Sequence, residues 1–332
     1  MPLTHQKISQ IKGPRIYLRN PRFPHRQILI AALGVALLPL AHATAQSAPR
    51  QDSAAAKELT ARVGPPSQQA IDEFKKAGME DVKPHTLTAE ERAKIEAALA
   101  SLPALNRRVL EKKLHQLAFV DGIPGEGTGL TSPAGETGLY DITLRASIVD
   151  ESLATFLTTK ERRVFSEDAS GNTVTVNATG TSALTYVLLH ESTHVVDKSC
   201  GITSQAGNRL DAGIWTGPRD LAPRWASSIL ATNFFRTGHA LEIGKAPAVY
   251  DALAQSPFVS LYATASAQED FAELVAWREV QKQHHGKLAV ELTDAGGNIL
   301  RRWRPLRFPE VRKRFREVDR LLASPGSCSA VS

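Results

Sequence analysis

The sequence predicts an α+β fold, and three observations carry that expectation. The chain has 332 residues of which 42% are apolar, enough to bury a sizeable core. Between about Asp121 and Gly180 it alternates apolar and polar residues and is interrupted by Gly- and Pro-rich stretches, the pattern of strands and turns. Beyond Gly180 apolar residues recur at helical spacing in several segments. Strands followed by helices is the α+β order.

The N-terminus reads as a leader. Residues 1–45 hold six basic side chains (Lys7, Lys12, Arg15, Arg19, Arg22, Arg26) and no acid, then the apolar run 28–41 and AHATAQ. That is the basic region, apolar region and Ala-x-Ala end of an export signal, with cleavage after Ala43 or Ala45. The apolar run of 14 residues contains Pro39 and falls short of the roughly 20 a spanning helix needs, so no stable membrane anchor is expected after cleavage. Removing six of the 40 basic residues leaves 34, equal to the 34 acidic ones. A neutral mature chain gives no electrostatic support to a nucleic-acid partner. The expected destination is the periplasm or the medium, and in such an oxidising compartment Cys200 and Cys328, the two cysteines, are expected to form a disulfide.

Residues 46–67 are rich in Pro, Gln, Ser and Ala and read as a flexible mature N-terminus. Residues 68–120 read as a helical N-terminal segment with helices over 68–77 and 88–117, the second begun by Thr88 with Glu90 and Glu91 in its first turn and split by Pro103. The main domain is 121–332. It opens with the loop DGIPGEGTGLTSPAGETG and a half-buried strand over 140–148, a candidate edge strand. RRVFSE and TVTVN around Asp168–Asn172 read as a hairpin. A helix over 182–199 starts at Thr181 or Ser182 and stops at Gly201, and further helices are expected over 223–236, 247–254, 267–284 and 309–322.

The helix over 182–199 contains LLHESTHVVD, in which His190-Glu191-x-x-His194 has the spacing of a metal site. Four residues is just over one turn, so both imidazoles leave the same face, and Glu191 can reach a water on a shared ion. Zinc (Zn²⁺) suits two neutral imidazoles plus a third ligand and an open position. Two third ligands compete. The metzincin spacing would need a turning Gly and a ligand where Asp197 and Cys200 stand. The other source is the later helix in SLYATASAQEDFAELVAW, where Glu269 and Glu273 share a face. Ser266-x-x-Glu269 would equally serve as a capping box, and Glu273 as a solvated side chain.

HESTHVVD followed by Tyr262 and Glu269-Asp270-Phe271-Ala272-Glu273 resembles the catalytic domain of the anthrax lethal factor type of zinc peptidase, a gluzincin carrying HExxHxxD and Y-x6-E-F-F-A-E. The likeness covers about 180–200 and 260–277 and departs at Asp270. It implies a zincin-like fold, a mixed sheet alongside the HExxH helix and a later glutamate-bearing helix. It implies that His190, His194 and Glu269 bind zinc, that Glu191 is the general base and that Tyr262 donates to the oxyanion. Asp197 and Glu273 would be carboxylates that orient the imidazoles. The stretch from His194 to Glu269 is longer than in that family, so 202–255 reads as an insertion shaping the cleft.

The expected activity is therefore an exported zinc metallopeptidase acting on a peptide or protein. Its rival is a zinc-binding, non-catalytic pseudo-peptidase module of the envelope. Three weaker signals remain: His239 as an alternative oxyanion donor, His284-His285 near a helix end, and RRWRPLRFPEVRKRFREVDR. The last has nine basic against three acidic residues, the pattern of a polyanion-binding surface or of a helix with a charged outer face.

Overall fold

A computed structural model describes residues 48–125, 127–204, 209–324 and 328. The leader expected over 1–45 lies outside them. Where composition suggests a flexible stretch over 46–67, α1 (Ala48–Ala61) forms instead. Its Ala56 and Leu59 are fully buried and α1 packs on α3 (Ala89–Ala100), so small residues here make a close contact rather than a tail.

Between them lie α2 (Gln68–Lys76) and β1 (Glu80–Pro84), and after α3 come α4 (Ala104–Lys113) and β2 (Leu114–Ile123). Helix α3 opens with the expected box: Glu91 N–H donates to Thr88 Oγ1 at 3.2 Å and Thr88 N–H to Glu91 Oε2 at 2.7 Å. Pro103 is the N-cap of α4, where its missing N–H costs no hydrogen bond. The segment 68–120 is nevertheless not a helical unit. Its last residues, LHQLAFV, form β2, whose Leu114, Leu117, Phe119 and Val120 are buried inside the main sheet.

That sheet has the order β1-β2-β4-β3, where β3 is Gly129–Pro133 and β4 is Tyr140–Arg145. Strands β2 and β4 are parallel and the other pairs antiparallel. The expected edge strand, β4, is internal, with Asp141 and Thr143 buried as well as Ile142 and Leu144. The edge belongs to β3, inside the stretch read as loop, because main-chain pairing with β4 overrides its Gly and Pro content.

Next come α5 (Leu153–Arg162), β5 (Phe165–Ser166), β6 (Thr173–Ala178) and α6 (Ala183–Cys200). No hairpin joins β5 to β6. The former pairs in parallel with β7 (Leu241–Glu242), and the latter antiparallel with β8 (Leu288–Thr293). The helix expected over 223–236 breaks into α7 (Pro223–Ala226), a 3-10 turn and α8 (Phe234–Thr237). The Ser228 and Asn233 side chains accept from Leu230 N–H (3.2 Å) and Phe235 N–H (3.0 Å), capping new turns instead of continuing one helix. Helices α9 (Ala246–Ala254), α10 (Ala267–Gln283) and α11 (Pro309–Ala323) fall where expected. Strands β8 and β9 (Ile299–Trp303), with β6, make a second antiparallel sheet among those helices, so strands do not all precede helices.

Helix α6 runs through the core with α4, α5 and α10 packed around it. Cys200, its last residue, is bonded to Cys328, as expected of an exported chain. Among the described residues no helix is long and apolar enough to cross a membrane.

Candidate metal centre

Ser182 Oγ accepts from Thr185 N–H at 3.2 Å to start α6, and Gly201 ends it in the left-handed region at φ +64°. The intervening 18 residues carry His190, Glu191 and His194 toward α10. Ser266 Oγ accepts from Glu269 N–H at 3.1 Å to cap α10. The Glu269 carboxylate is not spent on that cap: its Oε2 lies 2.9 Å from His190 Nε2 and 3.4 Å from His194 Nε2. The two Nε2 atoms are 3.1 Å apart. Three separations of 2.9 to 3.4 Å match the edges of a tetrahedral zinc site, roughly 3.3 Å for bonds of about 2.0–2.1 Å. Three converging donors of this chemistry can hold a metal ion.

Helix α10 also brings Glu273 to the other side of His190, its Oε1 facing Nδ1 at 3.3 Å. Tyr186 O–H donates to Glu273 Oε1 and Ser260 O–H to Oε2, at 2.5 and 2.6 Å. Glu273 is thus buried against His190 and not a solvated side chain. Asp197 departs from the role the resemblance implies. It accepts Thr203 N–H and Oγ1–H on its two oxygens, both at 2.7 Å, so it ties down the chain leaving α6.

Burial opposes charge on His190, Glu269, Glu273 and Tyr262, and their charged neighbours decide the outcome. Burial disfavours the His190 imidazolium, yet hydrogen bonds to Glu269 and Glu273 and their charges lift it to about 10. Burial pushes Glu269 up, but His194 and His190 hold it well below the usual carboxylate range. Glu273 is likewise raised by burial and brought down to about 2 by Lys160, His190 and Ser260. Tyr262 stays a phenol: burial and the carboxylates of Glu269, Glu191 and Glu273 push it well above 10. Its ring lies 5.8 Å from that of His190, centroid to centroid.

Glu191 faces β3. Thr131 O–H donates to its Oε2 at 2.6 Å, and a Cβ at Gly129 would stand 2.5 Å from its Oε1, so any side chain there would displace the carboxylate. Beyond it opens a cavity of about 210 Å³ bounded by Gly129, Lys160, Phe235 and Tyr262.

Neither the rival ligand, Cys200, nor the rival oxyanion donor, His239, reaches the centre. Cys200 is bonded to Cys328 and has no thiolate to offer. His239 is exposed beyond α8, outside the cavity lining. The segment 202–255 does contribute to the cleft wall, through Phe234 and Phe235. Thr131, Gly129, Tyr186 and Lys160 lack any motif spacing to the histidines and escape a reading of the sequence.

Asp270, the departure from the resembling motif, has a structural cause. Its carboxylate takes Arg314 NH1 and NH2 at 2.8 and 2.9 Å and Trp215 Nε1–H at 2.9 Å. Arg314 belongs to the basic stretch and is buried, so part of that stretch serves neither an outer helix face nor a surface.

No protein-family model, curated protein or solved structure matches this chain. The resemblance rests on its two motifs and on the distances above.

Proposed function

We propose that this chain is a zinc metallopeptidase of the gluzincin kind, exported and acting on peptides or proteins. The observation that carries the reading is the convergence of His190, His194 and Glu269 within 3.4 Å of one another, with Glu191 lining the same cavity as His190 and Tyr262. His190, His194 and Glu269 would hold the ion. Zinc, when bound, supplies Lewis acidity and lowers the pKa of water toward about 7.

The chain's own residues do the rest. Glu191, steered by Thr131, takes the proton of the attacking water and returns it to the leaving amine. Tyr262, kept protonated, donates its O–H to the developing oxyanion. Glu273 orients the His190 ring through Nδ1. Substrate would lie along β3, the exposed edge on the Glu191 side, adding by main-chain hydrogen bonds.

Glu191→Gln is the test. Metal content should stay at one equivalent while turnover of a peptide library falls by roughly 10²–10⁴-fold. Undiminished turnover would remove Glu191 as the base. A chain that keeps its metal and cleaves no peptide would be the pseudo-peptidase.

A further inference from the structure

The cavity beside Glu191 contains a cation that the hydrolytic chemistry does not use. Three basic side chains line it: Arg145, Lys160 and Arg163. Two are committed to the protein. Arg145 pairs with Glu151 and donates to Ser147 Oγ at 2.5 Å, and Arg163 donates to the Gly125 carbonyl at 2.8 Å.

Lys160 is housed differently. Its ammonium sits 3.4 Å from the ring centroid of Tyr262 and 5.9 Å from that of Phe235. The carboxylate it pairs with, Glu273 Oε1, is 3.8 Å away, too far for a hydrogen bond. Among the described residues none of its three N–H donors has a protein acceptor within hydrogen-bond reach. Its side chain keeps 19% of its surface exposed, on the cavity side of α5. Aromatic faces offset part of an ammonium's lost hydration but accept no N–H bond. A half-buried ammonium with spare donors in a small, partly aromatic cavity is a receptor for an anion.

A peptide can bring one anion, a carboxylate. We propose that Lys160 binds a substrate carboxylate in this cavity, selecting peptides with an acidic side chain or a free C-terminus next to the scissile bond. Glu191 repels a second carboxylate at its end of the cavity, so the anion is directed to the Lys160 end, away from the general base. The substrate class rests on the peptidase reading above, while the carboxylate site itself is open to a binding measurement that needs no turnover.

The experiment is calorimetric titration of zinc-reconstituted Glu191→Gln protein with three otherwise identical neutral peptides: one amidated with a single Glu, one with a free C-terminus, one amidated and uncharged. At least one carboxylate-bearing peptide should bind roughly ten- to a hundredfold tighter than the uncharged one, as for a charge-assisted hydrogen bond. The advantage should vanish in Lys160→Met and persist in Lys160→Arg. Which peptide gains tells a side-chain carboxylate from a terminal one. Equal affinities, no binding of any of the three, or an advantage that survives Lys160→Met overturns the proposal. The peptide comparison is made on protein that retains Lys160, so it decides even where Lys160→Met does not fold. Cleavage of the same peptides by the wild type is read separately. No cleavage with the affinity ratio intact sinks the peptidase reading and leaves the carboxylate site standing.

Discussion

Glu269 and Asp270 are neighbours in the first turn of α10, yet they meet opposite environments. Glu269 faces two imidazoles and keeps 23% of its side chain exposed, whereas Asp270 is wholly buried against Arg314. Asp270 is saturated by a bidentate arginine and an indole N–H, which leaves it nothing further to bind. Glu269 shares one oxygen with two histidines whose nitrogens also face each other, an arrangement that could hold a metal ion. Two carboxylates one residue apart thus differ in surroundings because a helix turns them about 100° apart, one toward α6 and one toward α11.

The comparison is tested most severely at Glu269 itself. Glu269→Ala should reduce bound zinc from one equivalent to near none by plasma mass spectrometry, a loss beyond the roughly 10–100-fold an outer partner costs. Full zinc retention would place the third ligand elsewhere. Asp270→Ala should do the reverse, leaving zinc stoichiometry of the folded protein intact while costing about 3–5 kcal/mol in urea unfolding, because Arg314 is left buried and unpaired. A cost below about 1 kcal/mol would mean that the pair does not hold α10 to α11.

A third carboxylate sharpens the contrast. Glu161, at the end of α5, accepts Tyr250 O–H at 2.6 Å, and burial outweighs that bond and the nearby Lys160 to raise it to about 7. Below the unfolded value of about 4.5 both states hold the proton. Between 4.5 and 7 only the folded state keeps it, so stability declines as pH rises through that window, by about 3 kcal/mol in all. Glu161→Gln should flatten this part of the stability curve between pH 4.5 and 8. An unchanged slope would exclude Glu161 as its source. The smallest expected effect is at Glu273, where Gln keeps the shape and loses the charge facing His190 Nδ1. Zinc affinity should fall roughly tenfold to a hundredfold, measured by competition with a chelator, and an unchanged affinity would remove Glu273 as an orienting group.

Much of this site was legible before any coordinates. His190, Glu191 and His194 share one helix, where spacing alone dictates which side chains leave the same face. Ser182 and Gly201 mark that helix's ends by local backbone chemistry, as Thr88, Glu91 and Pro103 do for α3 and α4. Glu269 and Glu273 stand out as acids on one helix face, between whose roles a motif resemblance chooses, and the cysteine pair follows from the redox logic of export.

What escaped the sequence lies in contacts between distant segments. The Gly- and Pro-rich stretch holding β3 becomes a strand because β4 offers it a hydrogen-bonding edge, and LHQLAFV becomes β2 because it is flanked by β1 and β4. Asp197 turned to Thr203, and Thr131 found Glu191 across 60 residues. The sequence by itself determined which side chains one helix can present together, since helical geometry is local. Tertiary structure alone decided which of the buried charges are saturated by hydrogen bonds and which are only loosely paired: Arg314 reaches Asp270 from 44 residues away, while Lys160 stands 3.8 Å from Glu273 and lines a cavity. The reason is that desolvation and pairing depend on what packs around a group, and distant chain supplies most of that packing.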